Sequence, residues 1–372
     1  MIIGIPKENW RDERRVALTP AGVYALVKAG HQVVVQSEAG AGSGFATAAY
    51  DEAGAKIAFS AEEVFKRADF LVKVMPPTVE ESAWLPPEKF LFSWLQLGVA
   101  GPKVHEMLMA RRATAVGYEL IETPEGNLPV LTAMSEIAGL LLPQIAGRYL
   151  ETTFGGRGVS LGGVAGIPAS NVVIIGAGMV GSAAARSFLG AGANVMVMDA
   201  DLPRLRQLEM TLLKMVNTAL ATPYNIERYV AFADVLVGAV LIHGRKSPHV
   251  ASESLVRNMK PGSVILDVSI DQGGCIETSR PTTLSDPVFV KHQVTHYCVP
   301  NIASSVARTA SHALNNVVLA FVEEVAGSAW HAFRENPALR RGLYMYRGQC
   351  THEEIAGLLG WEYADIKNVI HG

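Results

Sequence analysis

The stretch Asn171-Val-Val-Ile-Ile-Gly-Ala-Gly-Met-Val-Gly181 decides the fold of this chain. Its apolar residues 172–175 predict a buried strand, and a helix is predicted to begin near Gly178. Gly176 permits a tight turn, Gly178 lets the backbone approach a pyrophosphate, and Gly181 lets the helix pack closely on the strand. Because the first N–H groups of a helix attract an anion, the motif predicts a dinucleotide-binding site.

A second apolar strand, residues 195–198, follows the motif and ends at Asp199. A carboxylate at this point accepts hydrogen bonds from both ribose hydroxyls and repels a 2′-phosphate, so the sequence predicts NAD rather than NADP. The alternative is a glycine-rich turn of another α/β fold. The flanking strand, the helix and the acidic residue together favour the dinucleotide interpretation.

The composition sets the class of protein. The chain has 372 residues, 49% of them hydrophobic and 18% charged, and a net charge of −3, which predicts two well-packed domains and no nucleic-acid partner. Its three cysteines, Cys275, Cys298 and Cys350, are widely spaced and odd in number, so we expect small buried side chains rather than disulfides or a metal site. We find no export signal and no unbroken apolar run of about 20 residues, so a cytoplasmic protein with no membrane partner is predicted.

Short apolar strands alternate with helical stretches in two blocks. Strands are predicted at residues 2–5, 32–36, 70–74, 91–95 and 115–118, and then at 172–175, 195–198, 235–240 and 264–268. Strands separated by helices form parallel sheets, so the predicted fold class is α/β with two Rossmann-like, doubly wound parallel-sheet domains. The glycine-rich runs around residues 155–166 are predicted to be connectors, and the chain after Asn301 is predicted to be helical.

Further motifs give the chain a specific resemblance. They are Gly4-Ile-Pro-Lys-Glu8, Glu13-Arg-Arg-Val-Ala-Leu-Thr-Pro20, Gly40-Ala-Gly-Ser-Gly44, Pro129-Val-Leu-Thr-Ala-Met-Ser-Glu136, Gly155-Gly-Arg-Gly158, Gly238-Ala-Val-Leu-Ile242, Met259-Lys-Pro-Gly-Ser-Val264, Asp271-Gln-Gly-Gly274 and Asn336-Pro-Ala-Leu339. In this order they resemble alanine dehydrogenase from residue 1 to about residue 350. The nucleotide-binding subunit of proton-translocating transhydrogenase is a more distant resemblance with the same architecture.

The resemblance implies an NAD-binding domain at residues 133–306, inserted into a discontinuous substrate domain formed by residues 1–132 and 307–372. It also implies a homohexamer that exchanges hydride between an amino acid and a 2-oxo acid, with NAD as the cofactor. For the cofactor site it implies a larger set of residues: Ser135, Gly176, Gly178, Gly181, Asp199, Arg204, Val240, Leu241, Val268, Asp271, Arg280, Val299 and Asn301.

On the substrate side, two of the family's four functional residues are present and two are replaced. The arginine that holds the substrate carboxylate falls on Arg15, and the catalytic aspartate falls on Asp271. The family's substrate-binding lysine is replaced by Met75, and its catalytic histidine is replaced by Gln96. Glutamine does not titrate, and methionine carries neither charge nor a strong donor. Since losing a positioned acid/base typically costs roughly 10²- to 10⁴-fold in rate, ordinary alanine turnover is expected to be impaired.

Other side chains could replace the lost groups. Lys73 lies two positions before Met75, within partial reach of its position, although an existing ion pair is favoured for its ammonium. His243, near the further departures Arg245 and His249, is either a relocated acid/base or a residue of a solvent-facing loop, and the loop is favoured. His296 is predicted to be structural.

Three hypotheses follow. The chain is an NAD-dependent oxidoreductase acting on a substrate other than alanine, since Met75 and Gln96 make the pocket neutral. Alternatively, it is an alanine dehydrogenase with impaired or rerouted catalysis. The third hypothesis is a non-catalytic NAD(H)-binding homologue with a sensing or structural role. The presence of Arg15 and Asp271 favours the first two.

Overall fold

A computed structural model describes residues 1–95, 97–241 and 247–370, apart from the side chains of residues 97–100 and 354. The chain forms two compact units. The first comprises Met1–Met134 with Ser304–Gly372, and the second comprises Ser135–Ala303. Gln96, His243 and Arg245, which the sequence singles out, lie outside the described residues.

The strands fall into two sheets, one for each unit. In chain order they are β1 (Ile2–Ile5), β2 (Gln32–Gln36), β3 (Lys56–Ala58), β4 (Phe70–Val72), β5 (Phe90–Ser93), β6 (Thr114–Gly117), β7 (Asn171–Ile175), β8 (Asn194–Asp199), β9 (Asn217–Leu220), β10 (Val235–Gly238), β11 (Val264–Asp267), β12 (Val288–Lys291), β13 (Val294–Tyr297), β14 (Leu343–Tyr346) and β15 (Gln349–Cys350).

The helices lie between these strands in the chain. They are α1 (Pro20–Lys28), α2 (Thr47–Glu52), α3 (Ala61–Arg67), α4 (Val79–Trp84), α5 (Leu97–Ala110), α6 (Pro129–Leu150), α7 (Met179–Gly190), α8 (Leu202–Thr211), α9 (Pro223–Val230), α10 (Glu253–Arg257), α11 (Ala307–Ser328), α12 (Trp330–Glu335), α13 (Pro337–Arg341), α14 (Glu353–Leu359) and α15 (Ile366–Val369).

The first unit contains an eight-stranded sheet in the order β15-β14-β6-β5-β4-β1-β2-β3. Strands β1 to β6 are parallel, and the order reverses between β1 and β4. In doubly wound sheets, ligands bind at the carboxyl ends of the strands where the order reverses. The segments that leave these two strands carry Glu8 and Met75.

The second unit contains a seven-stranded sheet in the order β12-β13-β11-β10-β7-β8-β9. Its parallel strands repeat the doubly wound order, which reverses between β7 and β10. The glycine motif leaves β7 at this point, and the segment that begins at Ala239 leaves β10. The predicted α/β class with two Rossmann-like sheets is confirmed.

The sheet edges differ from the predicted all-parallel arrangement. Strands β12, β14 and β15 pair antiparallel, and the last two lie in the C-terminal part that was predicted to be helical. Arg347 and Gly348, at φ of 51° and 81°, supply the two left-handed positions of a tight hairpin turn between β14 and β15. Alternating patterns as short as these strands carry little signal in a sequence.

Each unit has its own core. In the first, Val64 and Phe65 from α3 pack with Leu71 and Leu91 from the central strands. In the second, Ile175 and Leu236 lie among the buried residues beneath α9 and α10. Among the described residues, α6 alone is long and apolar enough to span a membrane, and half of its 18-residue window is buried. A helix in a protein core passes the same test, so α6 is only weak evidence for a membrane span.

Candidate functional site

The glycine turn after β7 has two positions that only glycine can occupy. Gly176 has φ of +109°, and a Cβ there would collide with the Ala239 carbonyl oxygen. A Cβ on Gly181 would collide with the carbonyl oxygen of Gly176. Gly178 is different, because it caps α7 at φ of −71° and a Cβ there would meet no protein atom within 4 Å. The space beside the first N–H groups of α7 is therefore open at Gly178.

Asp199 ties the end of β8 to the glycine turn. Its Oδ2 accepts from the Ala177 N–H at 2.6 Å, and its Oδ1 accepts from the Asp201 N–H at 2.8 Å. Only 9% of Asp199 is exposed. Arg204 lies one helical turn into the exposed start of α8, with Nε 3.5 Å from Asp201 Oδ2. The carboxylate is thus fixed beside the motif, as the sequence predicts.

The segment after β10 faces the same edge of this sheet. The Val240 N–H donates to Ser269 Oγ at 2.9 Å, and the Val240 carbonyl accepts from Ser247 Oγ at 2.9 Å. The neighbouring Leu241 is 46% exposed, so its side chain is open to solvent or a ligand. Val268 is half-buried, and its N–H donates to the Gly238 carbonyl at 3.0 Å.

Asp267 organises the loop that carries Asp271. Its carboxylate accepts backbone N–H bonds from Ser269, Cys275 and Ile276 at 3.0–3.1 Å. Burial raises the pKa of Asp267, against the lowering effect of these hydrogen bonds. Asp271 itself is exposed, in a short 3-10 helix at Ile270–Gln272. Sequence reasoning missed Asp267, although an acidic residue that ends a buried strand is a usable signal.

The remaining residues predicted for the cofactor side belong to this same unit. Ser135 is 8% exposed near the start of α6, and Val299 is 4% exposed after β13. Asn301 has a left-handed backbone, with φ of 50°. Arg280 is exposed, and its guanidinium lies 4.5 Å from the ring centroid of Phe289.

In the first unit, Arg15 forms a buried pair with Glu13. Arg15 Nη2 lies 2.6 Å from Glu13 Oε2, and Nε lies 2.8 Å from Oε1. Glu13 Oε1 also accepts from the backbone N–H of Arg15 at 2.9 Å. The Arg15 Nη1 atom contacts Met134 Sδ at 3.5 Å. This two-point pairing fixes the plane of the guanidinium, which suits it to recognise a carboxylate.

Glu8 and Lys73 form a second buried group beside it. Lys73 Nζ lies 3.4 Å from Glu8 Oε2 and 3.4 Å from Glu81 Oε1, and the Lys73 side chain is 0% exposed. Glu8 also accepts from the N–H groups of Val74 at 2.7 Å and Met75 at 3.3 Å. The ion pair that sequence reasoning favoured for Lys73 is therefore present, and sequence reasoning missed Glu8.

Burial and the neighbouring charges both change the pKa of Glu8. Burial, the largest effect, raises the pKa of Glu8 to about 7, although Lys73 and the Val74 N–H lower it. The carboxylates of Glu13 and Glu81 raise it further. The Glu8 carboxyl group therefore holds its proton to a higher pH than an exposed glutamate does.

Two buried polar groups, one of them on Tyr118, which the Glu8 charge affects, have no hydrogen-bond partner among the described residues. They are the Tyr118 hydroxyl and the Trp94 Nε1, and the two rings meet edge to face at 5.8 Å between centroids. Burial and then the Glu8 charge raise the pKa of Tyr118 well above its ordinary value. Met75 is half-buried. Buried donors without partners are uncommon, so these two groups are candidates to bind a polar ligand.

His296 is buried within the second unit. Its Nε2 lies 2.7 Å from Thr278 Oγ1, and its Nδ1 lies 3.0 Å from the Val294 carbonyl oxygen. Burial lowers the pKa of His296 to about 4, so it stays neutral at physiological pH. This agrees with the predicted structural role. His249 is exposed.

Comparisons with known proteins cover the whole chain. Residues 4–138 match the family model "Alanine dehydrogenase/PNT, N-terminal domain", and residues 143–353 match "Alanine dehydrogenase/PNT, C-terminal domain". Alanine dehydrogenase of Mycobacterium tuberculosis is 42% identical over 371 residues, covering 100% of both chains. A solved L-alanine dehydrogenase superposes with a TM-score of 0.92 at 41% identity, over 97% of this chain and 99% of the other. A transhydrogenase from Sinorhizobium meliloti shares the fold at a TM-score of 0.78 and 23% identity, over 95% and 99% of the two chains.

Proposed function

The chain belongs to the alanine dehydrogenase/PNT family, and on that premise we propose that it is an NAD(H)-dependent oxidoreductase of the alanine dehydrogenase type with altered substrate chemistry. The observation that carries the proposal is the contrast between its two units. In the second unit, the open space at Gly178 and the fixed carboxylate of Asp199 support binding of a dinucleotide. The first keeps Arg15 in a rigid pair but has Met75 where the family resemblance expects a lysine.

The cofactor fits the residues of the second unit. Open space at Gly178, beside the start of α7, suits a pyrophosphate, and Asp199 is held where a ribose hydroxyl would be recognised. The remainder of the dinucleotide would lie against residues that follow β10 and β11, namely Val240, Leu241 and Val268. Further proposed contacts come from a larger set: Ser135, Arg204, Asp271, Arg280, Val299 and Asn301. When bound, NAD supplies the acceptor or donor of a hydride.

The substrate proposed for the first unit is a small amino acid or 2-oxo acid. Arg15 would hold its carboxylate with the guanidinium that Glu13 keeps in one plane. Asp271, on the loop anchored by Asp267, would take part in proton handling. Met75 and Gln96 supply no charge, so the reacting atoms are polarised less strongly than a lysine and a histidine would polarise them.

We further propose residues 133–306 as the NAD-binding domain and residues 1–132 with 307–372 as the substrate domain. A homohexamer in the cytoplasm is the assembly that the family resemblance implies. Light scattering coupled to size-exclusion chromatography measures the assembly directly. A monomer or dimer would contradict the proposed hexamer without affecting the proposed chemistry.

The proposed function has a two-step test. Fluorescence titration first measures NADH binding, and NADH oxidation is then screened with 2-oxo acids in the presence of ammonium. The Met75→Lys/Gln96→His double variant is measured in parallel. We expect NADH binding in both proteins and a gain of pyruvate turnover in the double variant.

The same screen separates the alternatives. NADH binding without turnover of any 2-oxo acid favours the non-catalytic homologue. Fast pyruvate turnover by the parent contradicts altered chemistry, and absent NADH binding contradicts the proposal as a whole.

A further inference from the structure

The first unit contains a carboxyl group that the proposed chemistry has not used. Glu8 lies just beyond β1, and its carboxylate is bound by the N–H groups of Val74 and Met75, just beyond β4. These are the two strands between which the sheet order reverses, the usual place for a ligand in such a sheet. Glu8 is therefore attached to the backbone of Met75, the position where the resemblance expects a substrate-binding lysine.

The negative charge of Glu8 is only partly balanced by a cation, because Lys73 also pairs with Glu81. Among the described residues, these ion pairs bring three carboxyl groups, Glu8, Glu13 and Glu81, together with two cations, Arg15 and Lys73. Glu13 is engaged by Arg15 at two points. The Lys73 ammonium lies at the same 3.4 Å from the other two carboxylates, so it is shared between them.

Glu81 has a structural task that Glu8 lacks. It closes the capping box of α4, with its Oε2 accepting from the Thr78 N–H at 2.9 Å. This leaves Glu8 as the member of the group best placed to gain and lose a proton. The shift of its pKa to about 7, caused mainly by burial, agrees with this position.

We propose that Glu8 is the acid–base group of the substrate site in this chain. The inference rests on the proposed function. In the oxidative direction a Glu8 carboxylate oxygen accepts a proton from the substrate ammonium group, so that an N–H bond breaks and an O–H bond forms. The hydride leaves separately, to NAD. In the reductive direction the carboxylic acid returns the proton.

Tyr118 and Trp94 complete the site as hydrogen-bond donors. The Tyr118 hydroxyl is fully buried and stays protonated, since burial and the Glu8 charge both raise its pKa. Together with Trp94 Nε1, it offers donor N–H and O–H groups that have no partner among the described residues. Such donors suit the carbonyl oxygen of a 2-oxo acid, so Met75 does not need to carry a charge for that oxygen to be bound.

Infrared titration of the intact protein with ¹³C-labelled glutamate tests whether Glu8 holds the proton. We expect a protonated-carboxyl band that disappears with a midpoint near 7 in the parent and is missing from Glu8→Gln. Glu81→Gln is the matched control, because it keeps the Glu8 band but should move its midpoint below that of the parent, since the Glu81 charge raises the pKa of Glu8. Persistence of the band in Glu8→Gln overturns the proposal.

A second pair of variants keeps Glu8 in place, so the test does not require that Glu8→Gln folds. Met75→Lys brings an ammonium beside the carboxylate, which should lower the midpoint by about one pH unit or more, whereas the uncharged control Met75→Leu should leave it unchanged. An unchanged midpoint in Met75→Lys places Glu8 away from the substrate position and overturns the proposal.

The catalytic role is tested with NADH and a panel of 2-oxo acids that includes pyruvate. Ligand addition at the midpoint pH of each protein should change the Glu8 band in the parent and in Glu81→Gln. No change with any 2-oxo acid overturns the role. With a 2-oxo acid that is turned over, Glu8→Gln should reduce the rate roughly 10²- to 10⁴-fold and remove the pH dependence near 7. Failure of the proposed function is distinguishable, because NADH then fails to bind, or binds without turnover of any 2-oxo acid, while the Glu8 band still titrates.

Discussion

The ammonium nitrogen of Lys73 lies 3.4 Å from Oε2 of Glu8, and the two side chains are only 0% and 4% exposed. A lysine held in this way cannot swing towards a substrate in place of Met75 without leaving buried carboxylates unpaired. Lys73 therefore does not supply the positive charge that Met75 lacks. Replacement of the lost proton carrier has to come from another group, and Glu8 is the candidate within the same ion-pair network.

Lys73→Met tests how much this network contributes to stability. Removing the cation leaves two buried carboxylates without their partner, a change that typically costs about 3–5 kcal/mol. Denaturant unfolding at pH 8 measures the loss. The control is Lys66→Met, because Lys66 pairs with Glu62 on the exposed face of α3 and should cost less than about 1 kcal/mol. An equal loss of unfolding free energy in both variants would show that the buried ion pairs of Lys73 contribute no more to stability than the exposed pair.

Gly178→Ala separates cofactor binding from folding. A Cβ at this position meets no protein atom within 4 Å and the backbone φ of −71° suits alanine, so the melting temperature should hardly change. The same methyl group would occupy the space proposed for the pyrophosphate, and NADH affinity should fall by about tenfold or more. Gly190→Ala, at the other end of α7 and also in open space, is the control. Unchanged NADH affinity in Gly178→Ala would refute the proposed pyrophosphate position.

Asp199→Asn tests the choice between NAD and NADP. Loss of the charge should weaken NADH binding by roughly 10- to 100-fold, as expected for a hydrogen bond to a charged group, and should reduce the discrimination against NADPH. Titration with both cofactors measures the ratio of the two affinities. Asp201→Asn removes a nearby exposed charge and keeps the N-cap of α8, so its ratio should match the parent. A parent that prefers NADPH would contradict the role of Asp199.

The sequence was most informative where backbone geometry restricts the residue type. Gly176 and Gly181 could be interpreted correctly because a Cβ at either position collides with a backbone carbonyl. Asp199 could be placed because it ends an apolar strand just after the glycine motif. The antiparallel strand β14 was missed, since four apolar residues after a long helical region carry no distinguishing period.

Glu8 was missed for a different reason. It belongs to the quoted opening motif, but its neighbours are Val74, Met75 and Glu81, which lie far along the chain. Only the folded unit brings the carboxyl groups of Glu8 and Glu81 to Lys73. A pKa shift that depends on burial and on distant charges cannot be derived from local sequence. The structure therefore adds a titrating group to the first unit, where the sequence showed the family's histidine replaced by Gln96.

The pH dependence of stability gives Glu8 a signature that needs no substrate. Burial raises the pKa of Glu8 from an ordinary value of 4.5 to about 7 in the folded chain. The folded state thus binds this proton more tightly than the unfolded state, so the stabilising contribution is complete below pH 4.5 and is lost as the pH rises through 7. At 1.36 kcal/mol per pKa unit, the loss amounts to roughly 3 kcal/mol.

Unfolding free energies of the parent and Glu8→Gln, measured by denaturant from pH 4.5 to pH 8.5, isolate this contribution. Groups distant from Glu8 titrate equally in both proteins, so the difference between the two curves belongs to Glu8 and the network around it. We expect the parent to be favoured at the acidic end and its advantage to shrink towards pH 8. Asp267, whose pKa burial also raises, should keep its own contribution in both. Parallel curves across this range would mean that Glu8 ionises as it does in water, and the network around Lys73 would then hold a permanent carboxylate.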